Sequence, residues 1–472
     1  MTSSGKWAAV CLAAAALVAC GGESAGTADA GDAGAETITP PKVPLATSLT
    51  IEEVAAYQTI RLDWMTKGVA TTPGTTLPIL RGKPALVRAF VRLVGTKKWI
   101  ARTLQAELHL TGDVEQTITD SRVIGAASTE GVLASTFDFT LDEKALGPAT
   151  SFFLVVRDPA EKDPTLGQIR IPKSGSILPE TQQAVGPLRV VVVPVNYLAD
   201  GVPKLPHTGP QDLAVLHDYL FDMFPVSDVQ VTLHAPMDFS TKMTADGGGW
   251  GWLLNALMNL RANDAPSKDT YYLGAVTPAS SWPDYCGNGC VAGMAPGIAS
   301  VTAIGQRAVA SLAFGGEPWG STSAHELGHA HGRDHAPCGN PAGVDQNFPY
   351  SGGASGVPGY RLSAGTLFTD SVDIMSYCTP TWISDYNYGA LLTRVRAVAA
   401  QDAVGVVPEQ TFTRWVVDGA GNATLGGITR DRAPDEPAET RVLRIDGVSR
   451  TLRGWWTPFD HAGGGFFHVE RK

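Results

Sequence analysis

The spacing of hydrophobic residues changes along the chain and predicts several kinds of structure. Between residues 46 and 186, short apolar runs such as 86–93 and 151–156 are separated by Gly, Pro, Asp and Thr. Strands bounded by turn residues have this composition. We therefore expect an immunoglobulin-like β-sandwich over 46–186. The pattern at 51–54 also predicts one short helix.

A different pattern begins after residue 186. Residues 189–195 form a continuous apolar run, which is typical of a strand buried on both faces. Leucines and a methionine then recur at helical spacing over 213–223, and further strand-like and helix-like segments follow in alternation. Alternating strands and helices predict an α/β arrangement with a mixed sheet, which we place at 187–405.

The last part of the chain, 406–472, returns to short strands. Two of its apolar runs lead into Asp-Gly pairs, at 418–419 and 446–447, which are typical of hairpin turns. We expect a small β domain there. Taken together, the patterns predict an α+β, multidomain fold: a β-sandwich, then a central α/β domain, then a small β domain.

The N-terminus predicts export. An apolar run from Trp7 to Ala19 follows a single lysine and is too short to span a bilayer. It ends in Leu-Val-Ala-Cys-Gly, which resembles a bacterial lipobox, where the cysteine, here Cys20, is lipidated. An ordinary secretory signal cut nearby is the alternative. Residues 1–20 are thus expected to be a lipoprotein signal peptide, and the Gly- and Ala-rich residues 21–45 a flexible linker.

Composition narrows the classes of function. The chain has 472 residues, of which 44% are hydrophobic and 17% charged, as in ordinary globular proteins. Its 46 acidic residues exceed its 36 Lys and Arg, which gives a net charge of -10. This balance argues against a nucleic-acid partner and against charge-driven binding to anionic lipids. We expect a monomer that contacts the membrane only through its N-terminal lipid. Its expected location is the outer membrane or the cell surface, and release into the medium is the alternative.

Four cysteines remain when the predicted signal peptide and lipidated residue are set aside. In an oxidising compartment they form up to two disulfides, with three possible pairings. We favour Cys286–Cys290 as a small loop and Cys338–Cys378 as a link across a longer segment. A structural zinc site of all four cysteines is the alternative, although only one pair has the short spacing that such sites use.

The most specific signal lies at residues 325–335, which read H-E-L-G-H-A-H-G-R-D-H. On a helix, His325 and His329 lie one turn apart on the same face, so both imidazoles can bind one metal ion. Gly332 can end the helix in the left-handed conformation, which allows His335 to turn back as a third ligand. Three protein ligands leave one position of a tetrahedral zinc ion open, as in catalytic sites.

Glu326, which follows the first histidine, is the expected general base. It can reach a zinc-activated water without being a ligand, take a proton from it and pass that proton to the leaving amine. The other histidines receive no ligand role. His331 is expected at the surface or beside the ligands, and His461 and His468 are expected to be structural because they lack ligand spacing.

The histidine segment resembles the active-site helix of the metzincin clan of zinc endopeptidases. The clan also has a tight turn with a methionine beneath the zinc, and residues 373–378, with Met375, match that turn. The resemblance implies that Tyr377 stabilises the tetrahedral intermediate, and a purely structural tyrosine is the alternative. Ala336, after the third histidine, leaves the branch open. The layout is similar to that of mucin-cleaving bacterial members.

These features predict an exported zinc endopeptidase that cleaves extracellular proteins or glycoproteins. One catalytic zinc ion is expected. The clan often binds calcium as well, but no Asp-rich loop supports a calcium site here. Two alternatives stay open: an adhesin-like binding lipoprotein that holds metal without turnover, and a zinc amidase acting on a non-protein amide. Glu326 argues against the adhesin, which would not need a carboxylate at that position.

Overall fold

The computed structural model describes residues 43–297, 300–401, 409–434 and 436–471. The predicted signal peptide, the lipidation site Cys20 and nearly all of the predicted linker lie outside these residues. Within the described ranges, no helix is both long and apolar enough to cross a bilayer.

The described residues form seven α-helices and twenty-five β-strands. The helices are α1 (Leu45–Ser48), α2 (Pro164–Gly167), α3 (Pro210–Met223), α4 (Trp250–Asp264), α5 (Trp282–Cys286), α6 (Gly316–Ala330) and α7 (Asp385–Ala399). The strands are β1 (Leu49–Thr66), β2 (Val69–Ala70), β3 (Ile79–Arg81), β4 (Ala85–Leu93), β5 (Arg102–Thr111), β6 (Gln116–Ile124), β7 (Phe137–Leu141), β8 (Ser151–Arg157), β9 (Gln168–Ile171), β10 (Thr181–Gln183), β11 (Leu188–Tyr197), β12 (Val229–Leu233), β13 (Met237–Phe239), β14 (Thr270–Val276), β15 (Gly293–Met294), β16 (Ala308–Leu312), β17 (Gly359–Arg361), β18 (Thr366–Phe368), β19 (Val372–Asp373), β20 (Thr381–Trp382), β21 (Gln410–Asp418), β22 (Asn422–Asp431), β23 (Glu439–Ile445), β24 (Val448–Pro458) and β25 (Gly464–Glu470).

The predicted fold class, an α+β multidomain protein with a central α/β domain, is wrong. Strands far outnumber helices, and α1, α2 and α5 have only four or five residues each. The fold is rich in β-sheet and in sandwich packing. The prediction took the fold class of 187–405 from a few alternating strands and helices, whereas the many Gly and Pro residues of the chain, which interrupt helices, favour short strands and turns.

Two antiparallel sheets pack face to face in the N-terminal part. One has the order β18-β17-β1-β4-β7, with β2 beside β1, and the other has the order β6-β5-β8-β9. Buried side chains from both, among them Val87, Phe139 and Leu154, belong to one hydrophobic core. Because β17 and β18 come from residues 359–368, a later segment of the chain completes the first sheet.

The helix expected at 51–54 is instead part of β1. The register of β1 against β4 shifts between Ile51 and Glu53, which marks a β-bulge. The bulge adds one residue, so the buried side chains Ile51 and Val54 are three positions apart rather than two. That spacing is the one that suggested a helix.

A six-stranded mixed sheet lies in the middle of the chain, in the order β12-β11-β14-β16-β15 with β13 also beside β11. All its pairings are parallel except that of the edge strand β15 with β16. The apolar run predicted as a buried strand is β11, and the predicted helix at 213–223 lies within α3. Helix α6 packs against β16 and α3, which brings it close to the edge strand β15.

Strands β21 to β25 form a closed barrel that packs against α4. The Asn255 side chain donates to the carbonyl oxygen of Gly426 at 3.0 Å, and Arg414 Nε donates to Asn255 Oδ1 at 2.8 Å. The loop between β24 and β25 runs back toward the mixed sheet, where Pro296 pairs with Phe459. This contact places the loop next to α6.

Candidate metal centre

Helix α6 positions the first two histidines of the centre. The helix ends at Ala330, and Gly332 follows with a φ of 81°, the left-handed conformation that the sequence predicts for this glycine. Its N–H donates to the carbonyl oxygen of His329 at 2.8 Å. The turn brings His335 back beside the helix, so that the side chains of His325, His329 and His335 are all buried.

The hydrogen bonds of these three histidines define their tautomers. Each Nδ1 donates to a main-chain carbonyl oxygen: His325 to Ile374 at 2.7 Å, His329 to Arg333 at 2.6 Å and His335 to Ala342 at 2.5 Å. A neutral imidazole that donates from Nδ1 has an unprotonated Nε2. The Nε2 atom of His329 lies 3.0 Å from that of His325 and 3.1 Å from that of His335. Three lone pairs this close to one another repel unless a cation lies among them, so this group could hold a metal ion.

The charge state of the histidines agrees with these tautomers. Burial lowers the pKa of His325 and His329 well below the usual range, and neighbouring imidazoles lower it further. Burial likewise lowers the pKa of His335 to about 4. All three side chains are therefore neutral near pH 7, which is the form that binds metal ions.

The turn that contains Met375 packs against α6. Met375 is 1% exposed, and a Cβ atom placed on Gly328 of α6 would lie 2.5 Å from its sulfur. The preceding residue, Ile374, supplies the carbonyl oxygen that orients His325. Ala336 donates its N–H to the carbonyl oxygen of Met375 at 2.9 Å. Met375 thus lies where the sequence predicts it, packed against the ligand helix.

Both favoured cysteine pairs are disulfide-bonded in the structure. The Cys338–Cys378 bond links the segment after His335 to the turn that contains Met375, and Tyr377 also donates its N–H to Cys338 at 3.0 Å. The Cys286–Cys290 bond closes a small loop beside α5. The cysteines therefore do not form the alternative zinc site, and the two disulfides are typical of an extracellular or secreted protein.

A fourth histidine, His461, lies in the same group, although its sequence spacing predicts no ligand role for it. It comes from the loop between β24 and β25, and one ligand atom from each of the four histidines lies within 4.8 Å of the others. The buried group could therefore hold a metal ion. The sequence gives one local signal for His461, the acidic residue Asp460 before it. The position of this loop follows from how the barrel packs, which no local pattern predicts.

Two acidic side chains meet beside the histidines. Glu326 is 1% exposed, its Oε1 lies 3.2 Å from His461 Nε2, and one of its oxygens lies within 4.8 Å of the Asp460 carboxyl group. Burial raises the pKa of Glu326 to about 8. Burial raises the pKa of Asp460 well above the usual range; His461 opposes this, and Glu326 adds to it. The pKa of both carboxyl groups is therefore raised, and the pair keeps a proton more readily than isolated carboxyl groups do.

Tyr377 lies at the edge of the same group. Its hydroxyl group is hydrogen-bonded to His461 Nδ1 and lies 3.3 Å from His335 Nε2. The residue is 47% exposed, but burial of the hydroxyl group raises its pKa, so the hydroxyl stays protonated. Tyr377 can therefore donate a hydrogen bond to a molecule bound at the centre.

His331 belongs to the core, so the expectation of a surface or ligand-side position for it is wrong. It is 2% exposed, its Nδ1 donates to the carbonyl oxygen of Leu327 at 2.6 Å, and its ring stacks on that of Tyr271 with centroids 4.5 Å apart. Burial lowers its pKa to about 3. Its position, two residues after His329, places it on another face of the chain from the ligands.

A cleft of about 580 Å³ borders the centre. His325, Glu326, Tyr377 and His461 all line it. Apolar and small side chains form much of the remaining wall, among them Trp282, Val291, Pro318, Ile374 and Thr381. The histidine group is therefore open to a large ligand on one side.

No family model matches the sequence, and no curated protein matches it. Among solved structures, a cycloisomaltooligosaccharide glucanotransferase from Paenibacillus sp., complexed with cycloisomaltoheptaose, is 14% identical to this chain. The alignment covers 48% of this chain and 27% of that one, with a TM-score of 0.16. A similarity at this level defines neither fold nor function, and the resemblance to metzincins stays a prediction.

Proposed function

We propose that the protein is an exported zinc endopeptidase that hydrolyses peptide bonds of extracellular proteins or glycoproteins. One observation carries the proposal. The unprotonated Nε2 atom of His329 lies 3.0 and 3.1 Å from those of His325 and His335, and a buried carboxyl group, Glu326, lies beside them at an open cleft.

The donor set fits zinc. Neutral imidazoles are common zinc ligands, and a ligand histidine usually donates its other ring N–H to a carbonyl oxygen, as His325, His329 and His335 do here. We expect these three side chains to hold the ion. When bound, zinc supplies a Lewis acid that polarises a carbonyl and acidifies water, and its charge favours the carboxylate form of Glu326.

The protein's own residues can move the protons of peptide hydrolysis. Glu326 Oε1 takes a proton from the attacking water while the water oxygen bonds to the carbonyl carbon. Glu326 then gives that proton to the amine nitrogen as the carbon–nitrogen bond breaks. Asp460, whose pKa burial also raises, lies beside the Glu326 carboxyl group. The Tyr377 hydroxyl can donate to the carbonyl oxygen as negative charge develops on it.

The cleft has room for a peptide segment. At about 580 Å³ it is larger than a single amino acid needs, and it is open to solvent along one side of the histidine group. Its apolar walls, which include Trp282 and Val291, suit side chains of a peptide.

New N-termini provide the test. The full-length protein is incubated with a protein mixture that includes glycoproteins, and the termini that appear are mapped by mass spectrometry. We expect termini that are absent with Glu326→Ala, at equal zinc content. If both proteins bind one zinc ion and neither produces termini, proteolysis is excluded, and the adhesin and amidase alternatives take its place.

We also propose that Cys20 carries a lipid that anchors the protein to a bacterial cell envelope. The apolar run before Cys20 and the Gly- and Ala-rich residues after it support this proposal. In cells fed a labelled fatty acid, the native protein should take up the label and Cys20→Ser should not. Equal labelling of both proteins would contradict the proposal.

A further inference from the structure

We propose that His461 is a fourth metal ligand, so that the C-terminal barrel completes the metal centre and closes it in the resting protein. The proposal rests on the proposed function only for the choice of zinc as the ion. It assigns a metal-binding role to a residue that lies 126 positions after His335 in the chain.

The four imidazole rings form one symmetric group. The centroids of the three rings from 325–335 lie 4.5 to 5.3 Å apart. The His461 ring lies 5.2 Å from that of His325, 5.4 Å from that of His329 and 4.9 Å from that of His335. It is therefore about as close to each of the three as they are to one another, which is the arrangement of four ligands around a single ion.

The hydrogen bonds of His461 allow the pattern of the other three histidines, because the Tyr377 hydroxyl oxygen next to its Nδ1 is able to accept as well as donate. Its Nε2 lies 3.2 Å from Glu326 Oε1. When Nδ1–H donates to the tyrosine oxygen, Nε2 is unprotonated and available to a metal ion. All four histidines then bond an oxygen atom through Nδ1 and keep Nε2 for the shared ion.

The loop that carries His461 is held in place by several contacts. The Asp460 carboxylate oxygens accept the N–H of Ala295 at 3.0 and 3.2 Å, and Gly297 donates its N–H to Pro458 at 2.5 Å. The Phe459 ring packs edge-to-face on that of Phe466 with centroids 5.0 Å apart. The His461 side chain itself is 10% exposed. Its place in the group is thus set by the packing of the barrel.

Closure of the centre has a direct consequence for function. Zinc sites with four protein ligands are closed, whereas catalytic sites keep one position for water or substrate. A substrate would therefore have to displace His461. His461 also lines the cleft, so it borders the space that a substrate would enter.

X-ray absorption at the zinc edge tests the proposal on the full chain loaded with one equivalent of zinc. We expect four imidazoles in the native protein, and three imidazoles with one oxygen donor in His461→Ala. Zinc affinity, measured by competition with a chelator, should fall at least about tenfold in the variant, the smallest loss that even an outer hydrogen-bond partner of a ligand causes. His217→Ala, on α3, is the control and should keep four imidazoles.

Added imidazole gives a second measurement. It should restore the four-imidazole spectrum of His461→Ala by filling the vacated position. His461→Asn repeats the comparison in case the alanine variant does not fold. A native spectrum with three imidazoles and one oxygen, unchanged in the variant, would overturn the proposal. A lower affinity with an unchanged imidazole count would also overturn it, because it would make His461 a positioning residue.

The failure of this proposal and that of the proposed function are distinguishable. If the imidazole count falls as expected but the native protein cleaves no protein, the ligand assignment stands and the peptidase function fails. If the native protein cleaves in a Glu326-dependent way while the imidazole count is three in both forms, the peptidase function stands and the ligand assignment fails.

Discussion

The positions of protons decide what the side chains of the centre can do. Three histidines keep their protons on Nδ1, bonded to carbonyl oxygens, and this leaves Nε2 free for a metal ion. Burial raises the pKa of both Glu326 and Asp460, which lie beside each other. These states follow from burial and from hydrogen bonds. Each side chain of the centre therefore depends on close packing around it.

Gly293 illustrates this dependence. A Cβ atom at this position in β15 would lie 2.6 Å from Cγ of Glu326 and even closer to its Oε1, so Gly293→Ala must displace the carboxyl group. We expect kcat to fall about 100-fold, the cost of a misplacement near 1 Å, with zinc content unchanged. Peptide hydrolysis and metal analysis of the purified variant measure both quantities.

Gly131→Ala is the matched control, because its new Cβ would lie 3.6 Å from the nearest atom, Thr369 Cγ2, an ordinary contact. It should leave kcat unchanged. Native kcat in Gly293→Ala would contradict the placement of Glu326 as the base.

At the scale of secondary-structure elements, the helix and turn of the histidine segment could be predicted from local spacing, whereas the short helix predicted at 51–54 is wrong. Helix α6, the turn of the chain at Gly332 and the position of Met375 depend on residues close in sequence, and the motif spacing encodes them. The pairing of β17 with β1 joins residues about 300 positions apart, and no local pattern predicts it. The bulge in β1 likewise depends on its partner strand.

The two disulfides should differ in their contribution to stability. A chain-entropy estimate gives about 4 kcal/mol for Cys338–Cys378, which spans 40 positions, and about 2 kcal/mol for Cys286–Cys290, which spans four. Replacing both cysteines of a pair with alanine, followed by urea unfolding, measures each value.

The Cys338–Cys378 pair should also weaken zinc binding when removed, because it holds the segment after His335 to the turn at Met375. The Cys286–Cys290 pair serves as the control. If both double variants lost equal stability and kept native zinc affinity, this role of the longer disulfide would be wrong.

At the scale of the whole molecule, the barrel brings the Asp460–His461 pair to α6. Sequence reasoning missed this pair because its approach depends on packing contacts such as that of Asn255 with Gly426, which join segments 171 positions apart. The error in fold class has the same origin. The strand predicted at 189–195 and the helix predicted at 213–223 are both present. The sheets around them form by pairing between strands that are far apart in the sequence.

The barrel should also make stability depend on pH. Burial and, to a smaller extent, the charge of Arg414 lower the pKa of His468 to about 3, whereas an unfolded histidine titrates near its usual value of about 6.5. Between these values the unfolded chain binds more protons. The free energy of unfolding therefore falls as pH falls from about 6.5 to 3, by at most about 1.4 kcal/mol per pH unit from this residue.

His468→Gln should flatten this dependence, and urea unfolding at several pH values between 7.5 and 5 measures it. The partly exposed His217, replaced in the same way, is the control and should keep the native slope. A slope in His468→Gln equal to that of the native protein would show that His468 does not cause the dependence.

The central claim, a zinc ion and Glu326 acting together on peptide bonds, is tested most directly by metal removal and return. The full-length protein is stripped with a chelator, and zinc is titrated back while cleavage of one substrate protein is followed. We predict that cleavage disappears on stripping and returns in full at one equivalent of zinc, and that Glu326→Gln binds the same equivalent without cleaving. Cleavage that survives stripping, or that returns equally in Glu326→Gln, would contradict the account.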